Sequence, residues 1–138
     1  MRAGEKAGFS FNSFKINKSI FDFSHERNKK LKIMIKPEGR HYLQANLFKL
    51  LLYVEVFTKE DDLLIGVEAE AVFAFSDIRE DQLMNYFLGN APAIMFPYIR
   101  AYIGTLTIQS GFSPILLPTL NMTNIASDLK ANIEKIDE

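Results

Sequence analysis

The sequence predicts an α+β fold in which a four-stranded antiparallel sheet packs on a long helix and a shorter C-terminal helix. Four segments in the first 76 residues alternate apolar and polar side chains, as strands with one buried face do. The later segments carry apolar residues at helical spacing, and strands followed by helices favour an α+β domain. The 138 residues fit one domain, which we place at residues 9–138 after a flexible segment, residues 1–8.

The first predicted strand spans residues 9–23, and its apolar side chains change face twice. Phe9 and Phe11 share one parity, whereas the next apolar residues, from Phe14 to Ile20, occupy the other. Phe21 and Phe23 then return to the first parity. Because a strand alternates with a period of two, such switches predict bulges or bends.

Three further strands complete the predicted sheet. In the second strand the residues of one face alternate with those of the other: Leu31, Ile33 and Ile35 with Lys32, Met34 and Lys36. The Pro37–Gly39 segment is expected to end this strand before a turn at Gly39–Tyr42. The third strand is predicted at about residues 45–58 and the fourth at residues 63–75, joined by a charged reversal.

The helices are predicted from capping residues and from period. Asp77 and Glu80 have capping-box spacing, and Gly89 is expected to end the first helix. The long helix follows from Asn90 to Gln109. The last helix carries an amphipathic stripe of Met122, Ile125, Leu129, Ile133 and Ile136.

The long helix is apolar in every direction, with Arg100 as its charged residue. Since such a helix must be covered all round, and a small domain has little surface to cover it with, we predict self-association through this helix. An interior helix in a monomer is the alternative. The predicted interface residues are Ala93, Pro97, Tyr98, Ala101, Gly104, Thr105 and Ile108.

The sequence does not favour an enzyme, a metal site or a cofactor site. It has no cysteine, and His25 and His41, both placed in polar loops, have no metal-ligand spacing. Glu68 and Glu70 fit a solvated strand face better than an acid/base pair. The net charge of −1 makes nucleic acid an unexpected partner, and the apolar runs are too short for a membrane span. We therefore expect a cytoplasmic protein.

Phenylalanine occurs 12 times and tryptophan never, so apolar aromatic surface is abundant in a chain with little interior. Such surface either builds a subunit interface or binds unfolded protein, which requires no nucleotide chemistry. An alternative is that the phenylalanines line a closed cavity for a small apolar ligand. The predicted client-binding residues are Phe21, Phe23, Ile33, Met34, Phe75, Met122, Ile125 and Leu129.

Two motifs resemble the signature of the SecB chaperone family: the run Phe96–Arg100 within the long helix, and the Gly/Pro-containing loop Gly111–Pro118. The order of elements is similar from about Phe9 to Ile136. The resemblance implies an ATP-independent holdase, assembled as a homotetramer from two dimers, which keeps preproteins unfolded until the SecA motor takes them.

Some positions depart from that family's pattern. Ala101 stands where the family usually has Glu, and Thr119 replaces a second proline. The resemblance also implies an acidic outer sheet face for SecA. Here the matching positions are Ser19, Phe23 and Gly66, so Asp22, Glu68 and Glu70 are the candidate SecA-facing residues. A SecB-like chaperone dedicated to one client, such as an antitoxin, is therefore an alternative.

Overall fold

The computed structural model describes residues 8–24, 30–118 and 122–138, with the backbone alone at residue 122. The strands are β1 Gly8–Phe21, β2 Lys32–Tyr42, β3 Leu47–Phe57, β4 Leu63–Ser76 and β5 Ile133–Ile136. They form one sheet in the order β1-β4-β3-β2-β5. The first four strands pair antiparallel, as predicted, whereas β5 pairs parallel with β2. The sheet is therefore mixed and has five strands, not the predicted four.

The central strands β3 and β4 bury one complete face. In β3 the even-numbered residues from Phe48 to Val56 are at most 1% exposed, because alternation turns all of them toward the helices. In β4 the odd-numbered residues from Ile65 to Phe73 also face the helices and are at most 2% exposed. These two strands form the centre of the core, and they confirm the period-two prediction.

Strand β1 contains the two irregularities that its parity switches predict. Its register against β4 shifts between Phe11 and Ser13 and again between Ile16 and Lys18. The second shift comes earlier than the sequence suggests. Ile20 consequently lies on the outer face, 42% exposed, and Phe21 lies on the inner face. The described part of β1 begins at Gly8, and residues 1–7 of the predicted flexible segment lie outside the described residues.

Strand β2 continues through the segment that was expected to end it. Pro37 pairs with Leu52 and Gly39 with Leu50, without a shift in register. The Gly39 amide donates to the Asn132 carbonyl oxygen at 3.0 Å, so Gly39 and Pro37 both direct their backbone groups away from β3. The missing amide of Pro37 therefore falls on the outer edge, where proline is tolerated. The predicted turn at Gly39–Tyr42 is wrong, since these residues pair with β5.

The helical part consists of α1 Glu80–Asn85, a π-helical turn Tyr86–Asn90 and α2 Ala91–Gln109. The predicted capping box is wrong, because the N-cap residue of α1 is Arg79 and no side chain caps it. Gly89 does not end the helix either. It lies in the π-helical turn, which leads directly into α2, and the long helix itself has nearly the predicted bounds.

The C-terminal helix is shorter than predicted: α3 spans Met122–Lys130. Ile133 and Ile136 belong to β5, so the apolar stripe is divided between a helix and a strand. Ile133 packs beside Gly39, where an added Cβ would lie 3.0 Å from the Ile133 Cγ1 atom and 2.9 Å from the Phe48 ring. The close approach at Gly39 lets β5 close this part of the β2 edge.

Candidate functional site

Three phenylalanines form an accessible aromatic cluster where β1 ends, which we call the open cluster: Phe21, Phe23 and Phe112. The Phe21 and Phe23 rings stack at 4.4 Å between centroids, and Phe112 meets Phe23 edge-on at 4.6 Å. Phe21 and Phe23 are half-buried, whereas Phe112 is 43% exposed. The sequence prediction named Phe21 and Phe23 but missed Phe112, although Phe112 lies in the loop Gly111–Pro118 that resembles the SecB signature.

The segment after α2, residues 112–118, runs from the open cluster and is called the strap. Its side chains alternate: Ile115 and Leu117 are buried, and Leu116 between them is 76% exposed. Leu116 is therefore a large apolar side chain presented to solvent by a segment that is anchored on both sides. The prediction also missed this residue.

Ile33 belongs to the same end of the sheet. It lies in one row across the strands with Val56, Ile65 and Phe21, and residues directly opposite each other in a ladder share a face. Met34 has the opposite parity and lies on the outer face, 48% exposed. The structure thus separates Met34 from Phe21, Phe23 and Ile33.

Phe75 lies at the far end of β4, ten residues beyond Ile65, or roughly 33 Å along the strand. There it belongs to a second group, the closed cluster, in which Phe87 contacts Phe48, Phe75 and His41. The Phe48 and Phe87 rings stack at 3.9 Å, and Phe75 and His41 meet Phe87 at 5.7 and 5.0 Å. These rings contact one another directly, which does not favour the closed-cavity carrier.

His41 was expected in a polar loop, and this prediction is wrong. It lies in β2 and is half-buried against the rings of Phe75 and Phe87. Burial lowers the pKa of its imidazole, and the charge of Lys135 lowers this pKa further. His25 lies outside the described residues.

Two of the predicted client-binding residues in α3, Ile125 and Leu129, face inward. Ile125 is 7% exposed and Leu129 is fully buried, so in this conformation both belong to the core instead of an accessible surface. The side chain of Met122 lies outside the described part of the chain. The predicted client-binding residues therefore do not form one surface. The structure brings together Phe21, Phe23 and Ile33 at one end of the sheet.

One face of α2 is exposed along its length. The predicted interface residues on it are Ala93, Pro97, Tyr98, Ala101, Thr105 and Ile108. Ile108 is 58% exposed and Tyr98 48%, and the Tyr98 ring packs on Phe11 and Phe14 of β1. Gly104 is buried on the opposite side of α2, near the Ile115 carbonyl oxygen. Its position therefore does not support its prediction as an interface residue.

The candidate SecA-facing residues differ in what holds them. Glu70 accepts a hydrogen bond from the Asn17 amide at 2.8 Å and pairs with Lys49 at 3.4 Å, and the Asn17 hydrogen bond keeps the pKa of Glu70 below its ordinary value. Asp22 accepts from the Ser24 hydroxyl at 2.6 Å. Glu68 borders an outer-face depression of about 300 Å³ at Gly66, beside Tyr53. Burial, with the charges of Glu38 and Glu68, raises the pKa of Tyr53.

Among the described residues, no group of three or more His, Asp or Glu side chains could hold a metal ion. In the same part of the chain, no buried side-chain nitrogen or oxygen lacks a hydrogen-bond partner. No described helix is both long and apolar enough to cross a membrane.

The fold is a mixed five-stranded sheet with one long helix and a short C-terminal helix, as in SecB-like proteins. The family model "Preprotein translocase subunit SecB" matches residues 9–131, and the chain belongs to the SecB family. The SecB family and the SecB-like fold are those of non-enzymatic chaperones.

Several known proteins are similar to this chain. An uncharacterised protein of Methanocaldococcus jannaschii is 26% identical, with 100% of this chain and 92% of that protein covered. The protein-export proteins SecB of Sphingopyxis alaskensis and Saccharophagus degradans are 30% and 35% identical, over 55% and 54% of this chain. The matched region spans less than half, 46%, of each of these two export proteins.

Solved structures share the fold of this chain. One of them is a SecB-like chaperone of Mycobacterium tuberculosis in complex with a ChAD peptide from the HigA1 antitoxin, with a TM-score of 0.66 and 16% sequence identity. The superposition covers 82% of this chain and 88% of that one. The likeness at this identity concerns the fold.

Proposed function

We propose that this protein is an ATP-independent holdase in the cytoplasm, which binds unfolded segments of other proteins through the open cluster and the exposed side of the strap. The observation that carries the proposal is the exposure of Phe112, which contacts the stacked Phe21 and Phe23, together with the exposure of Leu116 on the same strap. Clustered apolar surface that stays open to solvent, as at Phe112 with Phe21 and Phe23, is typical of interaction sites. SecB family membership supports a chaperone role.

Aggregation of a chemically unfolded model protein, followed by light scattering after dilution, tests the proposal. We expect the wild-type chain to suppress the signal and the Phe112→Ser/Leu116→Ser double variant to lose most of this effect. Leu43→Ser is a matched control, because Leu43 is 42% exposed but lies beyond the other end of β2. A wild-type chain that leaves aggregation of several unfolded proteins unchanged would contradict the proposal.

We further propose that the exposed face of α2 joins copies of this chain into a dimer of dimers. Ile108 and Tyr98 on this face are large apolar side chains with about half of their surface accessible, and burying them in a partner would be favourable. Light scattering should give a tetramer mass for the wild-type chain and a smaller mass for Ile108→Glu. Met34→Glu, at a residue with 48% exposure on the sheet, should leave the mass unchanged.

For the export partner, we propose that Glu68 is the principal acidic contact of the outer face. Glu70 and Asp22 already bind neighbouring side chains of this chain, so Glu68 is better placed to pair with SecA. Glu68→Lys should weaken binding to purified SecA in titration calorimetry, and Glu60→Lys, in the exposed turn between β3 and β4, should not. Equal binding by both variants would remove Glu68 from the contact.

The alternative client is an antitoxin, and the observation that favours it is the fold shared with the mycobacterial chaperone that holds an antitoxin peptide. Two competition experiments distinguish the alternatives. In one an unfolded preprotein, and in the other an antitoxin segment, is added to displace the same labelled client. A general holdase should release the label to both competitors. A dedicated chaperone should release it only to the antitoxin segment.

A further inference from the structure

The last turns of α2 hold the strap through Thr107. This residue is fully buried, and its hydroxyl donates within its own helix to the carbonyl oxygens of Ile103 and Gly104, at 3.0 and 2.9 Å. The same hydroxyl oxygen accepts a hydrogen bond from the Ile115 amide at 3.0 Å. A buried hydroxyl costs free energy unless its hydrogen-bonding capacity is used, and here both its donor and its acceptor are engaged.

Thr107 also holds the strap through its backbone. Its carbonyl oxygen accepts from the Phe112 amide at 3.0 Å, and the Gly111 amide donates to the Ile108 carbonyl oxygen at 3.0 Å. This pair of hydrogen bonds, with Gly111 at φ 91°, is the Schellman arrangement that ends many helices. Thr107 therefore binds the strap at its first residue, Phe112, and again three residues later, at Ile115.

Fixing Ile115 decides which way its neighbour points. Successive side chains of the strap face opposite sides, since Ile115 is 5% exposed, Leu116 76% and Leu117 1%. A strap released at Ile115 could rotate and turn Leu116 toward the apolar core. The Thr107 hydrogen bond opposes this rotation, because the Ile115 amide would then be left buried without a partner.

We infer that Thr107 is a positioning residue for the client-binding surface: through Ile115 it holds the strap in the arrangement that presents Leu116 to solvent, on the same segment as Phe112. The inference rests on the proposed holdase function for its consequence, though not for its structural step. Thr107 itself is buried and touches no client. The competing explanation is that burial of Ile115 and Leu117, with the stiff residue Pro114, is sufficient to place the strap.

Amide hydrogen exchange in the full chain without client tests the structural step. Thr107→Val keeps the shape of the side chain but removes the hydroxyl, and Thr107→Ser keeps the hydroxyl. We expect exchange at Ile115 to accelerate about tenfold or more in Thr107→Val and to remain near wild type in Thr107→Ser. Amides of β3 report global unfolding and should not change in parallel. If the amide of Ile115 exchanges in Thr107→Val at the same rate as in the wild-type chain, the inference is overturned.

A double-mutant cycle on client affinity tests the consequence. Leu116→Ala should weaken binding of an unfolded client about tenfold, and Thr107→Val should weaken it through the same side chain. Thr107→Val should therefore cause little further loss in the Leu116→Ala background. Fully additive losses would overturn the link to Leu116. If the wild-type chain binds no client, the proposed function fails, whereas exchange at Ile115 still supports or overturns the structural step.

Discussion

The two aromatic clusters lie at opposite ends of the same sheet and are built from the same type of residue, yet they differ in what covers them. The closed cluster lies under the π-helical turn, with β5 extending the sheet beside it, and Phe87 is 1% exposed. The open cluster has the strap beside it, and Phe112 keeps 43% of its surface accessible. Aromatic content alone therefore does not separate core from binding surface. What decides whether an aromatic cluster is core or accessible surface is the set of elements that cover it.

The largest expected effect is the loss of Phe87, which stacks on Phe48 and contacts Phe75 and His41. Phe87→Ala should lower the free energy of unfolding by about 3–5 kcal/mol, since it removes contacts and leaves a cavity. Chemical denaturation measures this, and Phe87→Leu should retain most of the stability. A loss below about 1 kcal/mol would mean that the closed cluster is not a structural core.

A smaller effect is expected where β5 approaches the closed end of the sheet. Gly39→Ala would place a Cβ atom 2.9 Å from the Phe48 ring and 3.0 Å from Ile133, and such overpacking costs about 1–3 kcal/mol. Gly89→Ala is the control, because a Cβ atom there has no neighbour within 4 Å. Equal unfolding midpoints for the two variants would show that β5 can move aside freely.

The open cluster should tolerate the change that the closed cluster does not. Phe112→Ala removes a ring that is only partly buried, so we expect a stability loss of about 1 kcal/mol or less, accompanied by weaker client binding. The same denaturation series gives the comparison with Phe87→Ala. Equal stability losses at the two sites would remove the distinction between the clusters.

The smallest effect concerns His41 and acid. Burial lowers the pKa of its imidazole in the folded state, so as pH falls below about 6.5 the unfolded chain binds the proton more readily. The stability contribution is full above that pH and is lost on acidification. His41→Gln should flatten the dependence of the unfolding free energy between pH 7.5 and 5.5, and Lys135→Ala should reduce it in part. An unchanged slope in His41→Gln would assign the dependence to other groups.

The sequence was informative where a single pattern applied. The alternation in β3 from Phe48 to Val56 predicted its buried face completely, because both neighbouring strands and the helices cover it. The parity switches in β1 predicted both bulges, but Ile20 fell on the other face because the second shift, at Ile16/Lys18, comes earlier than the apolar pattern indicates.

Other errors arose where the tertiary context decided. Pro37 reads as a strand end, yet it is tolerated because its missing amide faces the sheet edge. Ile133 and Ile136 are spaced like a helical stripe, and only pairing with β2 makes them a strand. Phe112 and Leu116 were overlooked because a loop has no period from which exposure can be predicted.

The position of β5 in the sheet also bears on how the chain folds during synthesis. Gly39 and its partner Ile133 are far apart in the sequence, so this pairing closes a long loop and forms only after the intervening strands and helices have emerged from the ribosome. Until then the amides of β2 that face β5 remain open to other chains. This edge of β2 is therefore the last part of the described sheet to be covered.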